Sequence, residues 1–180
     1  GHSIDAKAYY CYAPGEGFLS ESCQAWENSV RPIQQMGIPT AIVRTGIVLH
    51  PEGGALEKML LPLKVWNSTY FGNGQQWYSW IHMQDICRVY GYIIEHQLTG
   101  TFNGVAPNPA RNKTLAKVLP QAVGQKALVM PAPAFGLRLI FGEMADTILG
   151  STRCSAEKIA EKGFKFKFPN LDCALKDLVG

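Results

Sequence analysis

The chain has 180 residues and a net charge of +3; 47% of its side chains are hydrophobic and 17% charged. That is long enough for one domain with a real core, and the balance excludes a disordered polymer. Lysines and arginines are scattered without a basic stripe, so nucleic acid is not an expected partner. No apolar run reaches the ~20 residues needed to cross a bilayer, so no membrane partner is expected.

The amino-terminal residues, GHSIDAKAYYCYAPGEG, have no clean period, and Ala13-Pro14-Gly15 marks a turn. They contain no basic-then-apolar leader, so an intracellular, cytoplasmic protein is expected. The five cysteines, at 11, 23, 87, 154 and 173, form no Cys-x-x-Cys pair. No metal site is expected from them, and reduced thiols are the simplest state. Cys23 and Cys87 fall on predicted helices and read as small core residues.

From Ser20, the recurrence of Cys23, Trp26, Val30 and Ile33 predicts a helix, with Pro32 bending or stopping it and Gly37 placed to end it. Pro39 to His50, PTAIVRTGIVLH, is β-branched and apolar, the pattern of a strand covered on both faces in a parallel sheet. Arg44 interrupts it. A buried guanidinium must reach a carboxylate, or else sit at the sheet's edge facing an anionic ligand. Pro51 to Gly54 is a turn, and Ala55 to Leu61 opens a helix. Its leading glycines read as a flexible turn or as an anion-binding helix start.

The stretch Gly72 to Glu95, GNGQQWYSWIHMQDICRVYGYIIE, gathers polar groups where an apolar element begins. Ile86, Val89, Tyr90, Ile93 and Ile94 form a stripe of helical period, with Asp85 expected to cap the helix. Trp77 to His82 suits a strand. Functional groups of open α/β sheets collect at such strand ends. Gly72-Asn73-Gly74 is not a dinucleotide fingerprint, because the third glycine position holds Trp77.

Gly100 to Pro107 predicts a short strand running into a loop. A helix follows over Leu115, Val118, Leu119, Ala122 and Val123, which Pro120 should kink. Ala127 to Met130 is strand-like, and Phe135 to Leu149 has the pattern of an apolar helix. A helix at Ser155 to Lys162 follows. Phe164, Phe166 and Phe168 then alternate with Lys165 and Lys167 as in a strand with one wet face, before a last helix at Leu171 to Val179.

Five segments in this order, RTGIVLHPEGGALEKMLLPL, FGNGQQWYSWIHMQDI, FNGVAPNPARNKTLAKVL, MPAPAFGLRLIFGEMA and EKGFKFKFPNLDCALKDLV, resemble the extended short-chain dehydrogenase/reductases of the epimerase family type. The resemblance runs from about Phe18 to the end and corresponds to the carboxyl-terminal half of such proteins. It implies an α/β fold: part of a Rossmann-type parallel sheet over residues 1–110, and a smaller C-terminal α+β substrate region over 111–180. By the same resemblance, Arg44 and the backbone of Gly46, Ile47 and Val48 lie on the side of an NAD or NADP cofactor. Gln75, Gln76, Trp80 and His82 would border a small-molecule substrate, with Asn103 to Pro107 closing the cleft. A homodimer is the common assembly of the superfamily.

Two features depart from the family pattern. The glycine-rich strand-turn-helix that grips the pyrophosphate is absent, and Phe18 and Ser22 stand where the superfamily has its Tyr-x-x-x-Lys pair. Phenylalanine has no proton to exchange. His82 has a suitable ordinary pKa for that task, yet between a strand and a helix it also suits a structural hydrogen-bonding role. The resemblance therefore supports an NAD(P)-binding epimerase-like or reductase-like protein. A non-redox nucleotide- or metabolite-binding protein, a sensor or assembly subunit, is the competing expectation.

Overall fold

The computed structural model describes residues 18–132 and 151–180. The expected helix at Phe135 to Leu149 and the tyrosines at 9, 10 and 12 lie outside them.

The predicted first helix is two: α1 (Phe18–Ser29) and α2 (Arg31–Gln35). Pro32 sits in the first turn of α2, where its missing N–H leaves no bond unmade. Trp26 and Ile33 are 75% and 42% exposed, so the periodic stripe is not covered by any described residue. Cys23 and, further on, Cys87 are exposed as well, a correction to their reading as core residues. Helical spacing identifies a face but not its cover.

The single long strand expected over Pro39 to His50 is divided into β1 (Ala41–Thr45) and β2 (Ile47–His50). Gly46 is the handover. Its N–H donates to the carbonyl of Gly104, while the next N–H, of Ile47, donates to Ser79. β1 therefore pairs in parallel with β6 (Gly100–Gly104), and β2 in parallel with β5 (Trp80–His82). A Cβ at Gly46 would collide with the Ser79 carbonyl oxygen and the Val105 side chain, so only glycine fits this crossing.

After β2 come α3 (Gly54–Leu60), a 3-10 turn over Leu61–Val65, and β3 (Asn67–Phe71). β3 pairs in parallel with β8 (Leu128–Ala132), in which Pro131 stands opposite Tyr70. Among the described residues β8 has no second neighbour, so the absent N–H is tolerated there. β4 (Trp77–Tyr78) pairs antiparallel with β7 (Ala110–Arg111), and Ser79 separates it from β5.

α4 (Met83–Glu95) starts directly after β5. Ile86, Val89 and Ile93 of its stripe are buried, whereas Tyr90 and Ile94 are 45% and 76% exposed. α5 (Asn112–Ala122) runs through Pro120. Pro120 has no N–H for the Ala116 carbonyl one turn back, but the buried Ser68 hydroxyl of β3 donates to that carbonyl at 2.6 Å. The oxygen freed by proline is thus satisfied from the neighbouring strand, and the helix continues to Ala122.

Two short helices, α6 (Glu157–Glu161) and α7 (Leu171–Val179), complete the described chain. Between them, residues 164–168 form no strand, contrary to the alternating pattern. The alternation itself is real: Phe164 and Phe168 are buried and Lys165 and Lys167 exposed. Extended backbone and one wet face need no ladder when another acceptor takes the N–H groups.

The interior has two apolar clusters. One joins Leu49, Leu56 and Trp80 to Leu115, Leu119, Leu171 and Leu175. The other joins Ile81, Ile86, Val89, Ile93 and Phe102 to Ile159 and Phe164. Both draw on residues either side of position 110, so the terminal helices pack into the same cores as the parallel strands.

Candidate functional site

The parallel strands β1 and β6 end at Thr45 and Gly104, the edge at which open α/β sheets hold ligands. At this edge Arg44 forms a bidentate pair with Glu27 of α1, Nε to Oε1 at 2.6 Å and Nη2 to Oε2 at 2.8 Å. The bonds from Arg44 hold the Glu27 carboxyl below its ordinary pKa. Of the two readings open for Arg44, the carboxylate partner is the one realised. The Gly46 and Ile47 N–H groups are likewise bonded within the protein, and Val48 lies in the ladder opposite Ile81. Arg44 and the Gly46 and Ile47 N–H groups thus each bond within the protein.

The residues expected on the substrate side separate into two groups. Gln75 is exposed; its N–H donates to Asn73 Oδ1, and its carbonyl accepts from Arg111. Gln76 is buried and donates from Nε2 to the Phe71 carbonyl. Trp80 is fully buried, its Nε1 donating to the Asn108 carbonyl at 3.0 Å. Its ring is therefore core, and it holds the loop after β6 from beneath. Asn103, expected to close the cleft, donates to the carbonyl of Ser155.

His82, not Asp85, caps α4. Its Nδ1 accepts the N–H of Gln84 at 3.0 Å, which places the ring proton on Nε2. Nε2 lies 3.2 Å from Asp177 Oδ2 of α7, within ion-pair distance but outside hydrogen-bond alignment. The ring stacks on Phe168 at 3.9 Å. Burial lowers the His82 pKa, and the nearby Asp177 carboxylate opposes that shift without cancelling it. At neutral pH the ring is uncharged, with its acceptor nitrogen committed to the helix.

Asp85, fully buried, has a different task from the one its position suggested. Oδ1 accepts from Arg88 at 2.6 Å and from the Lys167 N–H at 2.9 Å; Oδ2 accepts from the Phe168 N–H at 2.8 Å. One carboxylate thus takes the backbone donors that a neighbouring strand would have taken. Sequence reasoning missed this because nothing in the Phe/Lys alternation tells a carboxylate from a ladder as the acceptor.

Residues 151–155 form a strap along β4 and β5 that had no sequence signal. Trp77 N–H donates to Ser151 Oγ, the Ser79 hydroxyl donates to the Thr152 carbonyl, and the Cys154 N–H returns to Ser79 Oγ. Arg153 and Arg111 both stand against the Trp77 ring, their Cζ atoms 4.7 and 4.0 Å from its centroid. A cleft of about 450 Å³ opens beside Trp77 and Arg111, bordered also by Asn108, Thr114, Asn170 and Asp172. No group of metal-ligating side chains occurs among the described residues.

Parallel strands handed over at Gly46 make this an α/β protein of the Rossmann type. The comparisons agree. The human epimerase family protein SDR39U1 (isoform 2), solved with NADPH, superposes with a TM-score of 0.84 at 30% identity, over 98% of this chain and 60% of that one. Thermus thermophilus UDP-glucose 4-epimerase in complex with NAD shares the fold at a TM-score of 0.72 and 15% identity, over 99% and 58%.

An epimerase family protein of Staphylococcus aureus is 38% identical over 163 residues, covering 90% of this chain and 54% of that protein. The model of a domain of unknown function, DUF1731, matches residues 132–178. The chain is thus similar to part of the epimerase family proteins. It spans about half the length of the curated relatives it matches.

Proposed function

We propose that this chain forms the substrate-side part of an NAD(P)-binding, epimerase-like or reductase-like protein. The observation that carries the proposal is the parallel pairing of β1 with β6, opening at Thr45 and Gly46, in a fold closely similar to one solved with NADPH. The residues at that opening fit a dinucleotide as a wall and not as donors, since Arg44, Gly46 and Ile47 already bond within the protein. A nicotinamide cofactor would supply hydride exchange. This chain's part is to shape the pocket and exclude water, while the Arg44–Glu27 pair fixes α1 against β1.

Phe18 and Ser22 fall on α1, so a proton donor for any carbonyl chemistry has to come from elsewhere. His82 is poorly suited: it is buried, neutral and bound to Gln84. The reading extends to a small-molecule substrate, a homodimer and an intracellular, cytoplasmic setting. The thiols of Cys23, Cys87 and Cys173, which form no disulfide, support that setting. No helix among the described residues is long and apolar enough to cross a membrane.

Titration of the protein into NADPH and NADH, followed by cofactor fluorescence, tests the proposal. Saturable enhancement or quenching is the expected result. Absence of binding to either cofactor would sink it, and binding without turnover on any carbonyl substrate would remove the redox part alone.

A further inference from the structure

We propose that the end of the β3–β8 ribbon at Trp66 docks on an anionic lipid bilayer, the indole entering the headgroup region with Lys64 and Lys126 beside it. The proposal stands apart from the dinucleotide reading, because it uses no residue of the β1–β6 edge.

In the ribbon Ser68 stands opposite Val129, and the Ser68 bond to the Ala116 carbonyl turns that side towards α5. By the alternation of a strand, Leu128 and Met130 lie on the side away from α5. Both are exposed, whereas Ser68 is buried. The Leu128 N–H donates to the Trp66 carbonyl at 2.9 Å, which sets Trp66 and its neighbour Val65 beside Leu128 at the end of the ribbon. Trp66 has a φ of 59°, a left-handed backbone that bulky residues rarely adopt. The turn thus holds a large apolar side chain at its tip.

Val65, Trp66 and Leu128 are between 63% and 67% exposed. Side chains exposed this far project from the surface, whereas residues lining a groove are covered by its walls. A partner's helix needs such a groove; the headgroup layer of a bilayer closes around whatever projects into it. Tryptophan suits that layer, being apolar in its body and polar at its N–H.

The charges agree. Residues 61–71 and 123–132, which build this end, carry Lys64 and Lys126 and no Asp or Glu. Both lysines are exposed, and neither belongs to an ion pair among the described residues. A second copy docked on the same face about a twofold axis would set these lysines against their own counterparts. An anionic lipid surface attracts them. The expectation of no membrane partner came from the lack of a spanning run, and a contact confined to the headgroups needs none.

The test is cosedimentation of the protein, at low salt, with vesicles of equal parts phosphatidylcholine and phosphatidylserine. Binding to these and not to phosphatidylcholine alone is expected, weakening as salt rises. Trp66→Ala should weaken it by roughly tenfold, and Lys64→Gln or Lys126→Gln by roughly fivefold each. Trp66→Ala removes an exposed side chain, so its melting temperature should not fall. Trp26→Ala, which removes another exposed indole, on α1, should leave vesicle binding unchanged.

No binding at millimolar lipid, equal binding to neutral vesicles, or binding unchanged in the Trp66, Lys64 and Lys126 variants would overturn the proposal. Without vesicle binding, self-association that Trp66→Ala abolishes would give the face to a second copy, and a protein that stays monomeric would give it to an acidic protein partner. Neither result depends on NADPH, so this proposal and the cofactor proposal fail separately.

Discussion

α1 and α4 carry the same kind of apolar stripe and meet different fates. On α4, Ile86, Val89 and Ile93 are sealed between the parallel strands and the segment around Phe164. On α1 and α2, Trp26 and Ile33 remain open, tied to the sheet by the Arg44–Glu27 pair. The indoles make the contrast sharp: Trp80 is 0% exposed and Trp26 75%. Periodicity reports that a helix has an apolar side, whereas burial needs a second surface of matching shape.

The first way to break that comparison is truncation of the two indoles. Trp80→Ala should cost about 4 kcal/mol, from lost packing and the orphaned Asn108 carbonyl. Trp26→Ala should change stability by no more than about 0.5 kcal/mol. Denaturant unfolding of both variants gives the answer. A large loss at Trp26 would mean that the α1 face is covered in the working protein by something outside the described residues.

Asp85→Ala should cost roughly 2 to 3 kcal/mol, since it strands two backbone N–H groups and removes the carboxylate partner of Arg88. Hydrogen exchange should then rise first at Lys167 and Phe168. If those amides stay protected, the carboxylate is not what holds them.

On the α1 side, Glu27→Gln should cost about 1 kcal/mol, as its pair with Arg44 is partly exposed. Because the folded-state pKa of Glu27 is lowered, its contribution is present above the ordinary carboxylate range and is lost as pH falls through the folded pKa. Unfolding curves taken downward from pH 5 should show that loss in the parent and not in the variant.

The smallest effect is expected at His82. Its lowered pKa means that the unfolded chain takes up a proton before the folded one does, so stability should decline gently as pH falls below its ordinary 6.5. A His82→Asn variant should flatten that slope. A parent that becomes more stable in the same range would reverse the assigned sign.

Much of the fold could be read from residue pattern. The last helix is found at Leu171–Val179 as expected, and Gly100 begins β6. What could not be read was which neighbour each group meets. Pro39 to His50 looks continuous because apolar content does not record a change of partner, and the crossing at Gly46 was not expected. Pro120 predicted a kink because the Ser68 hydroxyl that relieves it lies 48 positions from the Ala116 carbonyl it bonds. The Trp77 cluster was invisible for the same reason: Arg111 and Arg153 come from separate segments and stand against one ring only once the 151–155 strap is laid down.

The grip of Asp85 on Lys167 and Phe168 also fixes the phase of the segment they belong to. With those two amides pinned, Phe164 and Phe168 can enter the cores only if the intervening length stays constant. Deleting one residue between Gly163 and Lys167 would bring a charged side chain to the slot of a ring, and no local adjustment of the backbone could restore both. Relatives should therefore vary freely in the identity of the exposed lysines here, and hardly at all in the spacing.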